Sequence, residues 1–147
     1  MPGLFNVYKS LVDEIDVQLK TITELATDTQ GERVKKWNGA RSPTVGRPEA
    51  FILASTMTSR DFTTNSSNNT FTILVDLLYY ADDFETGFDI CLNIAEKVYD
   101  KFHGTSINGK CRVARCEIAP GDGEISGRNL LAIPVRIIIR CEKIIIQ

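Results

Sequence analysis

Residues 71–80 read FTILVDLLYY, and this stretch decides the fold. Phe71, Ile73, Val75, Leu77 and Tyr79 recur at every second position, which puts them on one face of an extended strand. Leu74 and Leu78 flank Asp76 on the other face, so the strand is apolar on much of both sides. A strand of this kind belongs near the middle of a sheet.

The elements around it follow by the same reasoning. Upstream, residues 51–57 give a short strand, and residues 58–69 are a run of Ser, Thr and Asn that reads as a polar loop. Its two Asn-x-Ser/Thr matches carry little meaning without a secretory signal. Further back, residues 27–49 hold Gly31, Gly39, Pro43, Gly46 and Pro48, the marks of a long loop. Residues 4–26 repeat Leu4, Tyr8, Leu11, Ile15, Leu19, Ile22 and Leu25 at three- and four-residue intervals, which predicts an amphipathic helix.

Downstream, residues 81–85 form a turn and an acidic helix start. Phe88, Cys91, Leu92, Ala95, Val98, Tyr99 and Phe102 then mark a second helix, closed by Gly104. Strands are expected at 111–118 and 131–145, joined through residues 119–129, APGDGEISGRN, as an extended hairpin loop. Ile133, Val135, Ile137, Ile139 and Cys141 share one face of the last strand, and Arg136 and Arg140 share the other. The order helix, loop, strand, strand, helix, strand, strand predicts an α+β class. The expected architecture is a mixed or antiparallel sheet of about four strands with two helices packed on one face. The whole chain, 1–147, reads as a single domain, a length that can bury a substantial core.

Composition narrows the function. With 43% hydrophobic and 24% charged residues the chain is neither disordered nor fibrous, and a net charge of −2 gives no global field to recruit nucleic acid. No apolar run reaches the ~20 residues that span a bilayer. MPGLFNVYKS carries no basic region followed by an apolar block, so cytoplasmic synthesis without a signal peptide is expected. The four cysteines, Cys91, Cys111, Cys116 and Cys141, form no CxxC pair and have one histidine, His103, to help them, so buried free thiols are expected rather than a metal site. Asp82, Asp83 and Glu85 suit a helix N-terminus better than a cation. His103 ends a helix, where its ring can meet free carbonyls. GDGEISG lacks the spacing and context of a phosphate-binding loop. No catalytic, cofactor-binding or metal residue is predicted, and the chain reads as a non-enzyme.

The most suggestive surface feature is the basic stretch of Arg33, Lys35, Lys36, Trp37, Arg41 and Arg47. Tryptophan and arginine are enriched in protein interfaces, which makes that reading the first choice. A solvated loop with Trp37 tucked onto the core comes second, and phosphate contact with base stacking third. Trp37, Arg41, Arg47, Arg136 and Arg140 are therefore the candidate interface residues.

Taken in order, LFNVYKSLVDEIDVQLKTI, GRPEAFILAS, FTILVDLLYY, ETGFDICLNIAEKVYDKF, KCRVARCEIAP and NLLAIPVRIIIRCEK resemble, in size, order and texture, the tail-terminator (tail-completion) proteins of long-tailed bacteriophages, of the lambda minor tail protein U type. The resemblance spans nearly the whole chain. It implies a homomeric ring, usually of six copies, that caps the tail tube and docks with the head-completion or neck protein. DNA would pass through the lumen without specific binding. The protein would be made in the host cytoplasm, reside in the virion tail or neck, and have no membrane partner. Three classes stay open on the residues: a virion ring or another neck or head-closure component, a nucleic-acid-binding module using the Trp37 loop, and a small enzyme whose site assembles between subunits.

Overall fold

The computed structural model describes residues 4–29, 31–36, 47–121, 124–125 and 131–146. The central strand is the one expected. β3 (Ser66–Ala81) pairs antiparallel with β6 (Leu131–Ile146) from Ser66↔Ile146 to Ala81↔Leu131, and with β2 (Glu49–Thr63) on its other side. β4 (Val113–Pro120) extends the sheet antiparallel beyond β6. β1 (Val34–Lys36) adds parallel to Ala50–Ile52 of β2, and the two-residue β5 (Glu124–Ile125) lies against the start of β6. The sheet order β1-β2-β3-β6-β4 is mixed, with one parallel pair among antiparallel ones. The α+β class holds; the six strands among the described residues are the expected four plus β1 and β5, both too short to leave a periodic signature.

Two expectations need correction. The polar run 58–69 is not a loop. β2 continues through it to Thr63, and β3 begins at Ser66, so only Thr64 and Asn65 turn the chain. Thr58 pairs with Thr70, Ser59 with Asn69 and Arg60 with Asn68, and the Thr63 and Ser66 hydroxyls meet at 2.7 Å. Threonine suits a pleated surface, and β6 supplies a full ladder on the far side of β3, so sheet context overrides the low strand propensity of Ser and Asn. The first helix also ends early. α1 spans Leu4–Leu19, after which the amides of Thr21 and Ile22 bond three residues back and a 3-10 turn forms at Thr23–Leu25. The hydroxyl of Thr21 donates to Gln18 O at 2.6 Å, a local bond that competes with helix propagation. Leu25 is nonetheless fully buried, so the apolar spacing survives the change of helix type.

α2 (Phe84–Phe102) starts on an Asp83 cap whose carboxylate accepts from the Thr86 amide at 3.1 Å and from its hydroxyl at 2.6 Å. This confirms the capping reading of Asp83. Gly104, at φ 77°, follows the helix C-terminus.

Both helices lie on one face of the sheet. Tyr8 of α1 meets Phe71 edge-on at 5.0 Å, and an added Cβ on Gly87 of α2 would meet Ile133. Phe71 and Ile133 belong to the same face, because Phe71 pairs with Cys141 and Ile133 with Tyr79. The core gathers Leu11, Ile15 and Leu19 of α1, Ile94, Val98 and Phe102 of α2, and the alternating buried residues of β3 and β6. Among the described residues no helix is long and apolar enough to cross a membrane.

Gly87 marks the tightest approach. A Cβ there would lie 2.5 Å from Ile133 Cγ1 and 3.0 Å from Ala81 Cβ, and Ile133 is fully buried. Alanine gains about 1 kcal/mol in helix propensity, but overpacking costs about 1–3 kcal/mol. Gly87→Ala should therefore lower the denaturant midpoint; a stabilised variant would show that α2 has slack against β6.

Candidate assembly surface

Among the described residues no helix covers the opposite face of the sheet; its β3–β6 part is partly exposed, whereas Phe51 and Glu49 at the β2 side are buried. Register assigns that face. Leu74, Asp76 and Leu78 of β3 pair with Ile138, Arg136 and Pro134 of β6, and Leu53, Phe51 and Glu49 of β2 lie across from the same three β3 residues. From β4 come Arg115, opposite Arg140, and Glu117, opposite Ile138. Leu53, Leu74 and Ile138 thus form an apolar stripe across three strands, each side chain partly exposed.

Charges border the stripe. Arg136 grips Asp76 with both ends of its guanidinium, Nε to Oδ1 at 2.7 Å and Nη2 to Oδ2 at 3.1 Å. That hydrogen-bonded carboxylate raises Arg136 further above its already high pKa. Arg140 reaches Glu117 at 3.1 Å, with both groups about half exposed. Arg115 has no ion pair among the described residues and lies directly across the ladder from Arg140, a like-charge arrangement that is unfavourable in isolation. At the β1 edge Glu49, 5% exposed, meets Lys35 at 3.4 Å, and the same ammonium sits 5.9 Å from the Phe51 ring centroid. Phe51 is buried on this face, outside the main core cluster.

The candidate interface residues fare differently. Arg136 and Arg140 stand together on the open face. Trp37 and Arg41 lie outside the described residues. Arg47 is turned inward: its Nη2 donates to Asp28 Oδ1 at 3.2 Å and to Gly31 O at 2.7 Å, with 12% of the side chain exposed. Asp28 also holds Arg33, while Lys36 bonds Asp13 of α1 at 3.0 Å. The described cations of the basic stretch are therefore paired within the chain, two of them on Asp28, and Arg47 ties 28–31 to the start of β2. Sequence reasoning missed Arg115 and Glu117, because only the β4–β6 register places them beside Arg140.

Among the described residues the remaining titratable groups make structural contacts. His103 does not cap helix carbonyls with its ring: Nδ1 accepts from the Cys116 amide at 2.9 Å, and the ring stacks on Tyr99 at 4.4 Å. The ring closes part of the β4 edge instead. A groove lined by Thr21, Ile22, Glu24, Lys97 and Lys101 is bridged by the Lys97–Glu24 pair at 2.8 Å. Among the described residues no three His, Cys, Asp or Glu side chains converge as metal ligands would. All four cysteines are buried and unbridged. Burial pushes Cys91 and Cys116 up to about 12. The hydrogen bond between Cys111 and Cys141 lowers the first and raises the second.

No family model matches the chain, and no curated protein matches it. A solved structure known only by a sequence identifier shares the architecture: 15% of aligned residues are identical, 95% of this chain and 96% of that chain are covered, and the TM-score is 0.52. At that identity the likeness concerns the fold alone.

The thiols provide a direct check on this burial. At pH 8 a group at about 12 holds roughly a thousandfold less thiolate than one at 9. In the folded protein Cys91 and Cys116 should react slowly with a thiol reagent, with Cys111 first, and all four should titrate at once after denaturation. Fast labelling of Cys91 in the folded chain would contradict the packing of α2 on β6.

Proposed function

We propose that this chain is a virion structural protein, a tail terminator that forms a homomeric ring, of six copies by the family resemblance, capping the tail tube and joining it to the head-completion protein. The observation that carries the assembly reading is the open sheet face. An antiparallel sheet with one solvated face ordinarily alternates apolar-in with polar-out. Here the outer face bears Leu53, Leu74, Leu78 and Ile138, and β6 ends with Ile144 and Ile146 at 37% and 74% exposure. Such a face gains by meeting protein. The resemblance in size and element order supplies the particular assembly, and a virion location with synthesis in the host cytoplasm follows from it.

Another neck or head-closure component is the nearest alternative, since it would use the same ring-forming surface. The nucleic-acid reading loses support from the internal pairing of Arg33, Lys35, Lys36 and Arg47, whose side chains are held by Asp28, Glu49 and Asp13. Passage of DNA through a lumen requires no specific site.

Native mass measurement over a range of concentrations, with negative-stain images of the protein alone and added to terminator-deficient tails, tests the proposal. A closed ring seated at the tail end is expected. A chain that stays monomeric at every concentration and leaves tails undecorated would overturn it, and steeply salt-dependent DNA binding by that monomer would favour the nucleic-acid module.

A further inference from the structure

The N-terminus of α2 presents a surface of opposite character to the open sheet face. Phe84 is 41% exposed and stacks on Phe88, with centroids 5.3 Å apart and planes 18° from parallel. Beside this aromatic pair stand Asp82, Glu85 and Asp89, all exposed and without an ion pair among the described residues. Asp83 is already engaged by its cap. Glu85 and Asp89 are four residues apart on one helix, so they repel each other. The helix dipole favours Glu85 in the first turn but fades before Asp89. On the sheet face Arg115 lies directly opposite Arg140, and Glu117 alone answers the two cations through its pair with Arg140. The two surfaces thus carry charge excesses of opposite sign next to partly exposed apolar side chains.

One chain cannot bring the two together. Arg140 pairs with Thr72, and α2 starts just past Ala81, so nine residues of β3 separate them, about 30 Å at strand rise. They also face opposite ways, because α2 covers the side of the sheet that the arginines do not share. We propose that neighbouring copies of this chain join head to tail, with Phe84 of one copy seated on the Leu53–Leu74–Ile138 stripe of the next and Glu85 and Asp89 paired with Arg115 and Arg140. A contact between two different patches is heterologous, and such contacts generate rings when the rotation closes. The inference rests on the ring reading above and adds the seam.

Two charge-reversed full-length variants test it: Arg115→Glu with Arg140→Glu, and Glu85→Lys with Asp89→Lys. The altered side chains are exposed, and thermal melts establish that each variant is folded. Alone, each should dissociate at a concentration at least tenfold higher than the unaltered chain, because like charges meet across the seam. Mixed in equal amounts, they should reassemble, since each knob then finds a face of opposite charge. Phe84→Ala, which removes no charge, should weaken assembly without lowering the melting temperature. If either reversed variant assembles as well as the unaltered chain, or the mixture stays apart, the seam is elsewhere while the ring reading stands. If the unaltered chain forms no ring, both fail. If the arginine variant assembles normally but loses salt-dependent binding to duplex DNA, the arginines contact phosphate and the seam proposal is overturned.

Discussion

Everything in this molecule hangs on β3 being paired on both sides, along its full length with β6 and from Ser66 to Leu78 with β2. Its 16 residues meet β6 without a break, and β2 follows it from Glu49↔Leu78 to the hairpin turn at Thr63↔Ser66. A strand held this way has its register fixed twice, and a slip of one residue would move Phe71, Ile73, Val75 and Leu77 from the core to the open face. That penalty sets the alternation of β6, and hence the side on which both helices must pack. The two bulges in β2, between Ala54 and Met57 and between Asp61 and Thr63, are where the less constrained partner takes up the mismatch.

The consequence for function is an asymmetric molecule. Among the described residues the two helices cover one face, and none covers the other. The uncovered face is neither a plain solvated surface nor a second core. It mixes a three-strand apolar stripe with ion pairs that run across the ladder, Asp76–Arg136 and Glu117–Arg140. Ion pairs of this exposure contribute little to stability by themselves. Their value lies in holding long side chains flat and in a fixed pattern, which suits a surface that meets another protein.

The edges of the sheet are treated unequally. On β4, Ala114 exchanges hydrogen bonds with Gly104 and Thr105, His103 takes the Cys116 amide, and Pro120 ends the strand. These features blunt one edge against uncontrolled strand pairing. At the other edge β1 covers Ala50–Ile52, and the Asp28 hub with Arg33 and Arg47 fastens the segment around it. Arg33, Lys35, Lys36 and Arg47, which look in sequence like part of a binding loop, are in the fold fastenings of this edge.

Sequence by itself determined the class, the two helical stripes, the central strand and the core face of β6, because burial periodicity is written directly into Phe71–Ile73–Val75–Leu77 and Ile133–Val135–Ile137–Ile139. It also determined the Asp83 cap, a local interaction. Tertiary structure alone decided the rest. The run 58–69 became strand because β6 offered a ladder to its second half and β3 one to its first, which no local propensity records. Arg47 and Lys35 turned inward because carboxylates distant in sequence, Asp28 and Glu49, came within reach. Arg115 entered the open face because register put it across from Arg140. Periodicity tells which side of an element is apolar; only the pairing of elements tells which charges meet, and the candidate surface is made of such meetings.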